Sequence, residues 1–173
     1  MKFDDKIGSI QQILTATNVG ILRRQAIIKE LNLKKEQTVI DIGCGGGHLV
    51  EEISMCIGSS GRAIGVDPSE FQIKTAKERC KHLPNVQFLC SNASDINIDK
   101  SSCDAVTFTQ TLEYIDDVDE ALFVAKKLQK PKSIFVNVST LWDFFGFHGP
   151  EKDLNDMMHK IYLSQKHPML PVQ

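Results

Sequence analysis

VIDIGCGGGHLV, residues 39–50, is the stretch whose reading decides the fold of this chain. Three apolar residues bracket an acid, four glycines follow within five positions, and an apolar helix start comes next. Glycines this dense bring backbone close to something, because a side chain there would be in the way. A strand–glycine loop–helix turn suits a phosphate, a dinucleotide or another nucleotide-like cofactor.

Outward from that turn, strands and helices alternate. Thr38–Ile42 reads as a buried strand, and Leu49, Ile53 and Cys56 mark one face of a helix ending near Gly58. Arg62–Val66 is a second strand ending at Asp67. Pro68 suits a first helical turn and Ser69-x-x-Gln72 has the form of a capping box, so a helix follows that buries Phe71, Ala76 and Cys80. Val86–Cys90, Ala105–Thr109 and Ser133–Val138 are further strands. Val118, Ala121, Leu122, Ala125 and Leu128 trace a helix before the last of them.

Residues 9–31 carry Ile10, Leu14, Ile21, Leu22, Ile28 and Leu31 at helical spacing, with an interruption expected around Asn18-Val19-Gly20. After Gly149-Pro150, a last helix places Leu154, Met157, Met158, Ile161 and Tyr162 on one face, read as core packing. Such alternation implies right-handed βαβ units and a parallel sheet covered on both sides. Ligands of such sheets bind at the carboxyl ends of the strands.

The chain has 173 residues, enough for one domain with a core of its own. The expected organisation is a single domain over residues 1–173, with an N-terminal helical segment at 1–35 and a C-terminal one at 140–173. Twenty basic residues against 22 acidic ones give a net charge of −2, without the basic excess of a nucleic-acid surface. No apolar run approaches a membrane span and no signal peptide precedes the first helix, so a cytoplasmic protein is expected. Cys44, Cys56, Cys80, Cys90 and Cys103 stand singly and read as reduced buried thiols. The five histidines show no metal-ligand spacing, so no metal is expected.

The register of the glycines narrows the ligand. A P-loop needs Lys and Ser or Thr after its last glycine, where this chain has His48 and Leu49. A dinucleotide turn needs G-x-G-x-x-G, whereas Gly43, Gly45 and Gly47 make G-x-G-x-G. Asp67, 24 positions after Gly43, can accept from both hydroxyls of a ribose. Its structural alternative is an N-cap for Pro68-Ser69-Glu70. Together these favour a nucleoside ligand without a pyrophosphate.

VIDIGCGGGHL, AIGVDPS, VQFLCSNASDI and CDAVTFTQTLEYIDDVDEAL, in that order over residues 38–139, resemble the class I S-adenosylmethionine-dependent methyltransferases. The similarity is closest to the small-molecule, ubiquinone/menaquinone and arsenite methyltransferase-like type. It implies an α/β, Rossmann-like doubly wound sheet of order 3-2-1-4-5, with S-adenosyl-L-methionine as cofactor and S-adenosyl-L-homocysteine as product. It also implies site roles. Asp41, Gly43, Cys44, Gly45 and Gly47 would form the loop against the methionine and ribose parts, with Cys44 there for packing. Asp67 and Pro68 would follow at the ribose, Asn92 and Ala93 beside the adenine, and Gln110 at the methionine end. Asn92 reads equally as a turn residue closing its strand.

Methyl transfer from a sulfonium is an in-line displacement, so positioning supplies much of the rate and a base is needed only for an acceptor that must lose a proton. His148, near Trp142 and Asp143, is the one candidate base, with a surface-loop histidine as the alternative; His48 reads as a solvated or cap-region residue. No [DNS]-P-P-[YFW] motif and no Pro-Cys nucleophile is present, which favours a small-molecule acceptor over nucleic acid. The family's Pro-Gly-Gly turn is here Pro131-Lys132-Ser133, and its strands 6 and 7 are expected to be absent before Gln173. That would leave SIFVNV as an edge open to pairing, by a final helix or by a second copy in a homo-oligomer. A non-catalytic or truncated cofactor-binding subunit is the alternative to an enzyme.

Overall fold

The structure is a computed structural model that describes residues 5–140 together with 152–153 and 156–157. In chain order it runs α1 (Asp5–Ala16), α2 (Asn18–Leu31), β1 (Thr38–Ile42), α3 (His48–Ile57), β2 (Arg62–Asp67), α4 (Glu70–Arg79), β3 (Val86–Cys90), β4 (Cys103–Thr109), α5 (Val118–Leu128) and β5 (Gln129–Val138). A 3-10 turn at Leu112–Tyr114 lies between β4 and α5.

The five strands make one parallel sheet of order β3-β2-β1-β4-β5, the order that the family resemblance implied. β1 sits at its centre because Val39, Ile40 and Ile42 are apolar on both faces, as a strand covered on two sides requires. Val39 joins Ile27 and Leu31 of α2 and Val50, Ile53 and Ile57 of α3 in one core. Ile40 and Ile42 point the other way, to Ile64, Val66, Phe108 and, from α5, Ala125 and Leu128. Each fully buried aliphatic side chain contributes about 1.5–3 kcal/mol, so these two layers dominate the stability of the fold.

Side-chain caps fix where several helices begin. Thr17 accepts from Gly20 N at 3.3 Å, Ser69 from Gln72 N at 3.3 Å and Asp117 from Glu120 N at 2.9 Å. The break in the N-terminal helical segment therefore falls at Thr17, just before the Asn-Val-Gly triplet.

Four readings of the sequence need correction. Leu14 and Leu22 are more than 60% exposed and Ile21 is 37% exposed, so only the later part of that segment, at Ile27 and Leu31, enters the core. Cys90 is exposed and Cys56 half-buried, because each lies off the core face of its element. β5 begins at Gln129 rather than Ser133. Gln129 pairs with Cys103, and Lys130 Nζ bonds both oxygens of Asp104 at 2.8 Å, which draws the segment onto β4 through a bulge. Met157 is exposed, and the rest of the apolar face read in the last helix lies outside the described residues.

The chain divides into two compact units, Met1–Val138 and Ser139–Gln173. Among the described residues no helix is long and apolar enough to cross a membrane.

Candidate cofactor site

Where β1 ends, Gly43 N and Cys44 N both donate to Val66 O of β2, at 2.7 and 2.9 Å. This folds the glycine turn sideways over the switch point of the sheet. Gly43 has φ +80°, and a Cβ built there would overlap the Thr111 side chain beyond β4. A glycine is required there on both counts.

The turn is tied to Asp67 at the end of β2. Gly45 N donates to Asp67 Oδ2 and Ser69 N to Oδ1, both at 2.9 Å. Each oxygen keeps a second acceptor position, so the carboxylate can still receive hydroxyl donors. Ser69 is the N-cap of α4, and Asp67 holds the turn just before it through Ser69 N, so the structural role offered as its alternative is also filled. Burial pushes the Asp67 carboxyl upward, and the two backbone donors pull it back.

Asp41 lies beneath the turn, 2% exposed, with Oδ1 accepting no hydrogen bond. Burial, reinforced by the neighbouring Asp67 charge, raises its carboxyl to about 7. Cys44 is buried, and its thiol stands well above the ordinary range through burial and the charges of Asp41 and Asp67. It is a packing residue that stays protonated. His48 opens α3 half-buried rather than solvated, and burial, then Arg79 and Arg24, lowers its imidazole to about 4.

A cavity of about 840 Å³ opens over the carboxyl ends of the strands. Of the residues read from the sequence, Gly43, Asp67, Pro68, Asn92, Ala93 and Gln110 line it. Asp41, Cys44, Gly45 and Gly47, expected at the ligand as well, are buried and do not line it. Asn92 sits in a turn whose backbone carbonyl accepts from Asp95 N at 3.1 Å, so its structural description holds at the same time as its place in the wall. Gln110 has φ +52°, donates its N–H to Val138 O and accepts Arg23 Nη1 at 2.9 Å. A strained residue at the end of β4 marks a position the surroundings hold in place. His148, Trp142 and Asp143 lie outside the described residues.

The structure adds residues that the sequence reading assigned elsewhere or passed over. Gln11 reaches the wall from α1, and Phe71 and Gln72, taken for a helix face and a capping residue, reach it from α4. Thr111 and Tyr114 close the β4 side, the phenol of Tyr114 raised by burial and then by Glu113. Only Gln72 carried a local signal, a polar residue amid the apolar spacing of α4.

The donor set fits a nucleoside with a zwitterionic tail. Laid across the strand ends from β3 to β4, the wall offers Asn92 and Ala93, then Asp67, then the glycine turn, then Gln110. A ribose diol suits Asp67, while the space a Cβ would take at Gly43 is filled by Thr111.

Residues 33–166 match the family model described as a methyltransferase domain. A demethylmenaquinone methyltransferase of Staphylococcus carnosus is 31% identical over 117 residues, covering 68% of this chain and 48% of its own length. An uncharacterised protein from a transposon of Streptomyces fradiae is 22% identical over 151 residues, 87% of this chain and 44% of that protein. The chain thus spans about half the length of the curated relatives it matches. Among solved structures, a SAM-dependent methyltransferase from Aquifex aeolicus aligns with a TM-score of 0.74 at 24% identity, over 88% of this chain and 80% of that one. Geranyl diphosphate C-methyltransferase of Streptomyces coelicolor, solved with S-adenosyl-L-homocysteine, aligns with a TM-score of 0.63 at 20% identity, over 68% and 45%. These two likenesses are of fold.

Proposed function

This chain belongs to the class I S-adenosylmethionine-dependent methyltransferases, and from that premise we propose that it transfers a methyl group from S-adenosylmethionine to a small-molecule acceptor. The observation that carries the proposal is one hydrogen bond. Gly45 N on Asp67 joins the glycine turn to the ribose-type acid at the rim of a single cavity.

When bound, S-adenosylmethionine supplies an electrophilic methyl group on a sulfonium leaving group. Asp67 would hold the ribose hydroxyls, Asn92 and Ala93 would flank the adenine, and the wall between Gly43 and Gln110 would take the methionine part. Gln110, held by Arg23 and by Val138 O, would fix the wall beside the reacting end. Phe71 and Ile115 would keep water from it. With both partners held in line, proximity supplies much of the acceleration, and a methylated carbon gives up its proton once the sulfonium has left as a thioether. An acceptor that must lose a proton would need a base as well, from solvent or from a side chain.

We assign the acceptor to small organic molecules rather than nucleic acid, and the setting to the cytoplasm. Demethylmenaquinone, named in the Staphylococcus relative, is the first acceptor to try. Incubation with methyl-labelled S-adenosylmethionine and demethylmenaquinone chemically reduced to its quinol, or geranyl diphosphate, tests the proposal. Label in the organic acceptor supports it. Cofactor binding without label transfer to any acceptor of a broad panel replaces it with a non-catalytic binding subunit.

A further inference from the structure

Helix α1 lies over the glycine turn through side-chain amides. A Cβ on Gly46 would overlap the Gln12 side chain, and one on Gly45 would lie 3.8 Å from Gln11 Oε1. Gln12 Nε2 donates to Gln72 Oε1 at 2.7 Å, and Gln72 Nε2 donates to Gln11 Oε1 at 2.6 Å. Gln72 is 1% exposed, so its amide requires both partners.

The direction of this chain of amides is set at its far end. Arg79 Nε donates to Gly46 O at 2.9 Å, and its Nη2 lies 3.4 Å from Gln12 Oε1. A guanidinium only donates, so Gln12 must turn its oxygen to Arg79 and its nitrogen to Gln72. The same constraint passes along to Gln72 and then to Gln11. The relay therefore ends in Gln11 Nε2, which donates to nothing among the described residues while Gln11 lines the cavity. Successive bonds polarise one another, so the positive charge of Arg79 strengthens that terminal donor.

The cavity has a use for it. Among the described residues no Lys or Arg lines it, and Asp67, Glu70, Asp116 and Asp117 do. The turn has little backbone to offer: Gly43, Cys44, Gly45 and Gly47 spend their N–H groups within the protein, and Gly46 does not line the cavity. An anionic group near the turn must find a neutral donor.

We propose that Gln11 binds the carboxylate of the methionine part of S-adenosylmethionine, as the donor end of a relay running Arg79–Gln12–Gln72–Gln11. This rests on the cofactor reading above and extends the site from the sheet to helix α1.

Calorimetry with two ligands separates the inference from that reading. S-adenosylhomocysteine carries the carboxylate; 5′-methylthioadenosine keeps the nucleoside and sulfur but lacks the amino-acid part. The wild-type chain is expected to bind both, the first more tightly. Gln11→Leu should weaken S-adenosylhomocysteine tenfold or more, the scale of a hydrogen bond to a charged group, and leave 5′-methylthioadenosine unchanged. Gln11→Glu still accepts from Gln72 Nε2, which keeps α1 tied down, and should weaken S-adenosylhomocysteine further by placing a carboxylate against its carboxylate. Equal weakening of both ligands in Gln11→Leu, or no weakening of either, overturns the inference. Wild-type binding of both ligands with equal affinity also overturns it, while leaving the cofactor reading in place. Failure of the wild-type chain to bind either one removes the cofactor reading and the inference together.

Discussion

Asp41 holds a carboxylate where water cannot reach it, 2% exposed and with Oδ1 unpartnered. Its native carboxyl lies at about 7 against 3.8 for an unhindered one, through burial and then the Asp67 charge. Between these two values the folded chain binds a proton that the unfolded chain releases. Stability therefore falls as pH rises through that window, by up to about 1.4 kcal/mol per unit from this group alone. The full benefit is present below pH 4 and gone above pH 7. Asp41→Asn stays neutral and should flatten the slope, read as urea midpoints at pH 5 and pH 8. An equally steep slope in the variant would place the titrating group elsewhere. At this scale the sequence was legible where the chemistry is local: the glycine spacing and Asp67 stand within one βαβ unit. Gln11 and Gln72 were not, because their bond spans 61 positions and neither residue type signals a partner that far away.

The glycine turn acts as one element with the segment after β4. Gly43→Ala meets two costs, the left-handed φ of +80° and overlap with Thr111. The first is worth about 1–2 kcal/mol and the second about 1–3 kcal/mol. For a chain of this size the sum corresponds to a fall of very roughly 5–20 °C in melting temperature. Thr111→Gly added to Gly43→Ala should restore the steric share only, leaving the backbone share. Full recovery, or none, would contradict this division. The helices and strands themselves followed from apolar periodicity and capping residues, and the limits of that reading are instructive. Periodicity marks which residues share a face but not whether that face is covered. The spacing marks Ile21, Leu22, Ile28 and Leu31, whereas the buried face of α2 is Gly20, Arg24, Ile27 and Leu31. The start of β5 depends on Lys130 meeting Asp104, 26 positions earlier, which no local pattern records.

The fold brings five separated segments to one cavity, because strand order reverses between β1 and β4 and the loops on either side of that switch point face each other. A parallel sheet with helices on both faces was legible from the alternation of patterns. Its strand order came from the family resemblance, and the cavity's wall from α1 came from neither. The central claim is that the glycine turn and Asp67 together hold a sulfonium nucleoside. Titration calorimetry with S-adenosylhomocysteine on the wild-type chain and on Asp67→Ala tests it most directly. The account predicts saturable one-site binding by the wild type, and a loss of at least tenfold in the variant, as two charge-assisted bonds to the ribose disappear. No binding by the wild type, or equal affinity in the variant, would contradict it.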